Sequence, residues 1–161
     1  YERDERHPDD APISLGSAHV VVVGMGRVGT GAYEYFKAHD TPVVGLDSDP
    51  AKIQKHLAAH RRVVYADAED PGMWERLNLD GVQAVLLTMA DVEAKVHAAA
   101  TLKRCGFAGL VSATNVYPDE AEAIVAAGCT SCFNLYEDAG VGFAEHALTA
   151  MRGTNQAPTG A

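Results

Sequence analysis

From His19 to Phe36 the chain reads HVVVVGMGRVGTGAYEYF. Four consecutive valines form a buried strand, the run stops at Gly24, and the pattern turns helical from Arg27. The three glycines have different tasks. Gly24 permits a tight turn, Gly26 lets a phosphate or pyrophosphate touch main chain past Met25, and Gly29 lets the helix pack close to the strand. The amides of Arg27 and Val28 at the helix start, together with the helix dipole, favour an anion. The Arg27 guanidinium adds a fork for phosphate oxygens.

Outward from this turn, strand and helix patterns alternate. Strands are expected at His19–Val23, Pro42–Leu46, Arg62–Tyr65, Val82–Leu87, Leu110–Ala113 and Ser131–Leu135. Helices are expected at Arg27–Ala38, Pro50–Ala59, Gly72–Leu77, Val92–Arg104, Asp119–Ala127 and Glu137–Arg152. The rhythm predicts an α/β fold: a Rossmann-like, doubly wound parallel six-stranded sheet with helices on both faces, its ligand crevice at the carboxyl ends of the strands. Residues 1–17, dense in charge and prolines, read as a linker or tail. Residues 18–152 read as one nucleotide-binding domain, and 153–161 as a flexible tail.

Composition narrows the function. A formal charge of -9 excludes nucleic acid or anionic lipid as the main partner, since both reward clustered Lys and Arg. No apolar run reaches the roughly 20 residues of a membrane span. The three cysteines do not make a disulfide scaffold. Cys129-Thr130-Ser131-Cys132 is formally C-x-x-C, but it lacks a second pair for zinc, and Cys132 enters a strand instead of opening a helix. The seven histidines are scattered and form no HExxH motif, so no metal site is expected.

At the end of the second strand, "VVGLDSDP" supplies Asp47 and Ser48, about twenty residues past the glycines, where a carboxylate accepts ribose hydroxyls. No arginine follows Asp47 to receive a 2′-phosphate, although Lys52 lies one turn inside the next helix, and this favours NAD or simple adenosine ligands over NADP. Asp49 caps the helix that opens at Pro50. In "VVYADAED", Asp67 and Ala68 follow the third strand, where two readings stand: contact to adenine, or capping of the next short helix. "LLTMAD" places Thr88, Met89 and Ala90 beside the crevice. In the last helix Val141, Ala144, Leu148 and Met151 form one apolar stripe. It either lies on its own sheet or meets a second copy across a two-fold axis.

As a set, "VVVVGMGRVG", "VVGLDSDP", "YADAED", "AVLLTMAD" and "FNLYEDAGVGFAEHAL" resemble the regulator-of-potassium-conductance domain in its Trk-N form. The likeness is strongest to the cytosolic C-terminal domain of Kef-type monovalent cation:proton antiporters, and it covers about residues 18–150. It implies a ligand-sensing module, not an enzyme, that binds AMP, ATP or NAD(H) and pairs as a homodimer. Such a module controls a membrane-embedded cation:proton antiporter domain of the same protein from the cytoplasmic face of the inner membrane. Carried over by position, Gly24, Met25, Gly26, Arg27, Val28 and Gly29 form the phosphate loop and Asp47 with Ser48 the ribose site. Asp67 and Ala68 form the adenine loop, and Thr88 and Met89 the crevice edge. The sequence departs from glutathione-gated members, which carry an arginine-rich stretch after the fifth strand where this chain has "SATN". Arg27 and Asn115 remain candidates for a second small polar ligand. The alternative is the nucleotide-binding domain of an NAD-dependent oxidoreductase, which would need a substrate region and an acid–base group beside the nicotinamide.

Overall fold

The computed structural model describes residues 13–155. Its elements run β1 (Val20–Val23), α1 (Arg27–Ala38), β2 (Val43–Asp47), α2 (Pro50–Ala58), β3 (Val63–Tyr65), α3 (Pro71–Arg76) and β4 (Ala84–Leu87). Then follow α4 (Val92–Arg104), β5 (Leu110–Asn115), α5 (Pro118–Ala127), β6 (Ser131–Asn134) and α6 (Leu135–Asn155). All six strands are parallel, in the order β3-β2-β1-β4-β5-β6. The doubly wound fold expected from the alternation is therefore present.

The burial of each strand explains its composition. β1 is central, and all four of its valines are buried, so the strand reads as an unbroken apolar run with no alternation. One core lies on the face carrying α1 and α2, around Val20, Val22, Met25, Tyr33, Ile53 and Val63. The larger core lies on the other face, around Val21, Leu46, Trp74, Val85, Leu102 and Ile124. Connections leave β1 toward β2 on one side and the chain returns to β4 on the other. The strand order thus reverses between β1 and β4, and the crevice opens above that reversal.

Aspartates set the helix starts. Asp49, Asp70 and Asp91 accept from the backbone N–H of Ala51, Gly72 and Glu93 at 2.9, 3.0 and 3.0 Å. Pro50 and Pro71 occupy the first turns they open, where a missing N–H costs nothing.

Three expectations are revised. Residues 1–12 of the expected linker and 156–161 of the expected tail lie outside the described residues, but the linker does not extend to residue 17. Leu15 is 3% exposed within the larger core, Ile13 bridges to Leu77, and the Arg62 guanidinium donates to the Leu15 carbonyl at 2.7 Å. Helix α6 continues through 153–155, so those residues are not tail. Nor does α6 lie on its own sheet: it has no buried residue, and Val141, Leu148 and Met151 are all exposed.

Candidate functional site

The turn after β1 is built around the glycines. Gly24 has φ +93, the left-handed region that side chains disfavour. A Cβ on Gly29 would stand 1.8 Å from the Gly24 carbonyl oxygen, so α1 reaches the loop only because that position has no side chain. A Cβ on Gly26 would meet nothing within 4 Å, because it would project into the open crevice. The Thr88 hydroxyl lies 3.0 Å from the Val23 carbonyl and 2.5 Å from that of Gly24, and ties the end of β4 to the turn.

Helix α1 starts differently from α2, α3 and α4. Its N-cap is Gly26, which offers no side-chain acceptor. The first amides of α1 therefore have no side-chain cap, and Gly26, at the positive end of the helix dipole, lines the crevice. That arrangement suits an anion.

Asp47, at the end of β2, is 8% exposed. Its Oδ2 accepts the Met25 N–H at 2.8 Å and its Oδ1 accepts the Asp49 N–H at 2.8 Å. The carboxylate thus holds the glycine loop against the β2 end, and its remaining lone pairs are available to hydroxyl donors. Met25 contributes only main chain: its side chain is buried in the α1/α2 core, and its carbonyl accepts from His56 Nε2 at 2.8 Å.

The crevice holds about 310 Å³. Of the expected site residues, Gly24, Gly26, Asp47, Ser48, Ala68, Thr88 and Met89 line it, whereas Met25, Arg27, Val28 and Gly29 do not. Nor does Asp67. It is exposed, and its Oδ1 accepts the Glu69 N–H at 2.9 Å, a turn within its own loop. The wall there is Ala66 and Ala68, an apolar surface fit for a planar base. The buried Trp74 indole N–H holds this wall by donating to the Ala68 carbonyl at 3.0 Å. Asp70, not Asp67, caps the short helix α3.

The expected second ligand pair, Arg27 and Asn115, is not brought together. Arg27 lines a cavity between the start of α1 and α2. Asn115 belongs to β5, two strands from β1, and lines a different cavity with Cys132, Asn134 and Glu137. Its Nδ2–H already donates to the Tyr117 carbonyl at 3.1 Å. Val28 also faces away from the crevice, toward a groove shared with Phe133 and Leu135. Neither Arg27 nor Val28 lines the crevice itself.

Sequence reading missed Ala66. Ala90 and Lys52, the latter in the first turn of α2, line the crevice as well.

Burial pushes the Cys129 thiol up to about 11, and burial also raises Cys132. Both thiols are thus held in their weakly nucleophilic form. Among the described residues, no group of three or more His, Cys, Asp or Glu could hold a metal ion. No helix among them is long and apolar enough to cross a membrane.

Comparison with known proteins agrees with the geometry. A putative K(+) efflux antiporter KefB of Alkalimonas amylolytica is 32% identical over 76 residues, 47% of this chain but 12% of that protein. The chain therefore spans about an eighth of that relative's length. Among solved structures, the NAD(P)-binding domain of an exopolyphosphatase-related protein from Archaeoglobus fulgidus superposes with a TM-score of 0.74. It is 23% identical and covers 82% of this chain and 98% of its own. The Kef CTD of Shewanella denitrificans in AMP-bound form gives 0.67 at 20% identity, over 82% of this chain and 80% of its own. These structural likenesses establish the shared fold. The TrkA-N domain matches residues 20–135, well over half of the chain, and the protein belongs to the TrkA-N domain family.

Proposed function

We propose that this chain is a ligand-sensing regulatory domain of a Kef-type monovalent cation:proton antiporter, binding AMP or NAD(H) to control ion transport. The observation that carries the reading is the crevice itself. Uncapped amides of α1 lie at one end, the Asp47 carboxylate beside them, and the apolar Ala66–Ala68 wall beyond. These three features suit the phosphate, the ribose and the base of an adenylate, in that order. The AMP-bound Kef domain of the same fold supports the choice of ligand.

The titratable groups lining the crevice are Asp47, which already accepts two main-chain N–H groups, and Lys52 in the first turn of α2, with no histidine, tyrosine or cysteine beside them. That favours a sensor over the nucleotide domain of an oxidoreductase. The domain acts as a homodimer at the cytoplasmic face of the inner membrane. The unburied stripe of α6, with Phe143 75% exposed, supports that assembly, as does Phe133 above the groove at Val28 and Leu135.

Mass spectrometry of the denatured protein, with a steady-state assay for NADH consumption, tests the reading. Retained nucleotide without turnover is expected. Substrate-dependent NADH oxidation would favour the enzyme.

A further inference from the structure

A second cavity, of about 420 Å³, lies on the outer side of the glycine loop, between the start of α1 and α2. Arg27, Lys52, Lys55, His56 and Arg61 line it. Four of the chain's 13 lysines and arginines thus meet in one hollow of a protein whose formal charge is -9. Arg61 is partly neutralised, since its Nε donates to Glu34 at 2.6 Å. Arg27, Lys52 and Lys55 form no ion pair with a carboxylate among the described residues.

The hollow is organised by its floor. His56 is 7% exposed; its Nε2–H donates to the Met25 carbonyl at 2.8 Å, which fixes the tautomer and leaves Nδ1 to accept from Arg61 Nη1 at 3.4 Å. The same residue that anchors the glycine loop from below therefore positions one of the cations. The cavity is continuous with the nucleotide crevice, because Gly26 and Lys52 line both. Asp47 lines the crevice side only, and it accepts the N–H of Met25, a residue of the outer cavity.

We infer that this cavity is a phosphate subsite for a nucleotide bearing a phosphomonoester on its adenosine ribose, at the 2′ or the 3′ position. The inference rests on the crevice holding an adenylate. A ribose seated at Asp47 presents its two hydroxyls to the rim between the cavities. One donates to the carboxylate, and the other, when phosphorylated, carries its dianion over the rim among Lys52, Lys55 and Arg27. The Asp47 charge opposes this, yet both its oxygens already accept main-chain N–H donors, and three cations with no ion pair among the described residues outnumber it. The absence of an arginine just after Asp47 is therefore compensated by cations from α1, α2 and the segment before β3.

The test is calorimetric titration of the purified protein with 5′-AMP, adenosine 2′,5′-bisphosphate and adenosine 3′,5′-bisphosphate at low and moderate salt. One bisphosphate should bind about tenfold or more tightly than 5′-AMP, and the preferred isomer identifies the hydroxyl. That advantage should shrink as salt rises. Lys55 lines only the outer cavity and is exposed on α2, so Lys55→Gln and Lys55→Glu should fold normally. They should remove most of the advantage and change 5′-AMP affinity less than twofold. Bisphosphates that bind no better than 5′-AMP overturn the inference and leave the adenylate crevice standing. So does an advantage indifferent to both Lys55 variants. If 5′-AMP and both bisphosphates all fail to bind, the crevice reading falls, and this one with it.

Discussion

Asparagine at position 47 keeps the shape of the aspartate and removes one acceptor. In the folded protein each carboxylate oxygen accepts one main-chain N–H, from Met25 and from Asp49. An amide has one oxygen, and its NH2 cannot accept, so Asp47→Asn must strand one of those donors. Met25 is 2% exposed, so its N–H has no water to turn to, and the oxygen will keep that bond. The Asp49 N–H, on an exposed residue, can turn to solvent. The cost to stability should therefore be about 1.5 kcal/mol, the low end for a lost bond to a charged acceptor. Ribose suffers more. Hydroxyls that donate to a carboxylate lose charge assistance, about 1.5–3 kcal/mol, or roughly ten- to hundredfold in affinity for 5′-AMP and NAD. Urea unfolding reads the first number and calorimetric titration the second. Asp49→Asn is the control, because asparagine and aspartate cap equally well and its affinity should match the wild type. An Asp47→Asn protein that binds 5′-AMP like the wild type would refute the placement of ribose at this carboxylate.

Gly29→Ala would put a methyl 1.8 Å from the Gly24 carbonyl, and relief requires α1 to move off the loop. It should cost about 1–3 kcal/mol and weaken nucleotide binding, so a variant matching the wild type in thermal midpoint and affinity contradicts the packing argument. Lys95 is 3% exposed, its Nζ donates to the Thr114 carbonyl at 2.5 Å, and burial lowers its pKa against the opposing pull of Glu120. Between that lowered value and the ordinary 10.5 the unfolded chain binds more protons, so stability should rise with pH there. Lys95→Met lacks that slope; urea unfolding across alkaline pH should show the wild type gaining on the variant, and a constant difference would sink the claim. Phe143→Asp, on the bare α6, should convert a dimer to a monomer in sedimentation. A wild type already monomeric at tens of micromolar would remove the dimer.

What could be read from the chain was whatever a local pattern encodes. The unbroken valines of β1 announced a strand buried on both faces, and the proline after Asp49 announced a capped helix. The crevice residues from three strand ends, Asp47, Ala68 and Thr88, were legible because strand ends in this fold converge on one edge. Asp67 went astray for a reason also visible in sequence. The two-residue alternation of β3 continues past Tyr65, so Ala66 and Ala68 turn inward and the aspartate between them turns out. Leu15 was hidden more deeply. One leucine in a charged, proline-bearing segment has no period, and only its tertiary partners, Arg62 above all, draw it into the core.

The cationic hollow shows where local patterns stop. Lys52, Lys55 and His56 stand three and four residues apart on α2, so a shared face could be drawn from spacing alone. What that face meets is set by α1 crossing beside it, with Arg27 at its tip, and by the turn that carries Arg61 back toward β3. Charges from three segments add only after the fold has brought them together. A preference for unphosphorylated ribose, read from the residues that follow Asp47, weighs just one of those segments. The electrostatic character of this site depends on all three. A ligand's ribose therefore meets a carboxylate on one side and the cluster of cations on the other, and substitutions on α2 should tune nucleotide choice without touching the glycine loop.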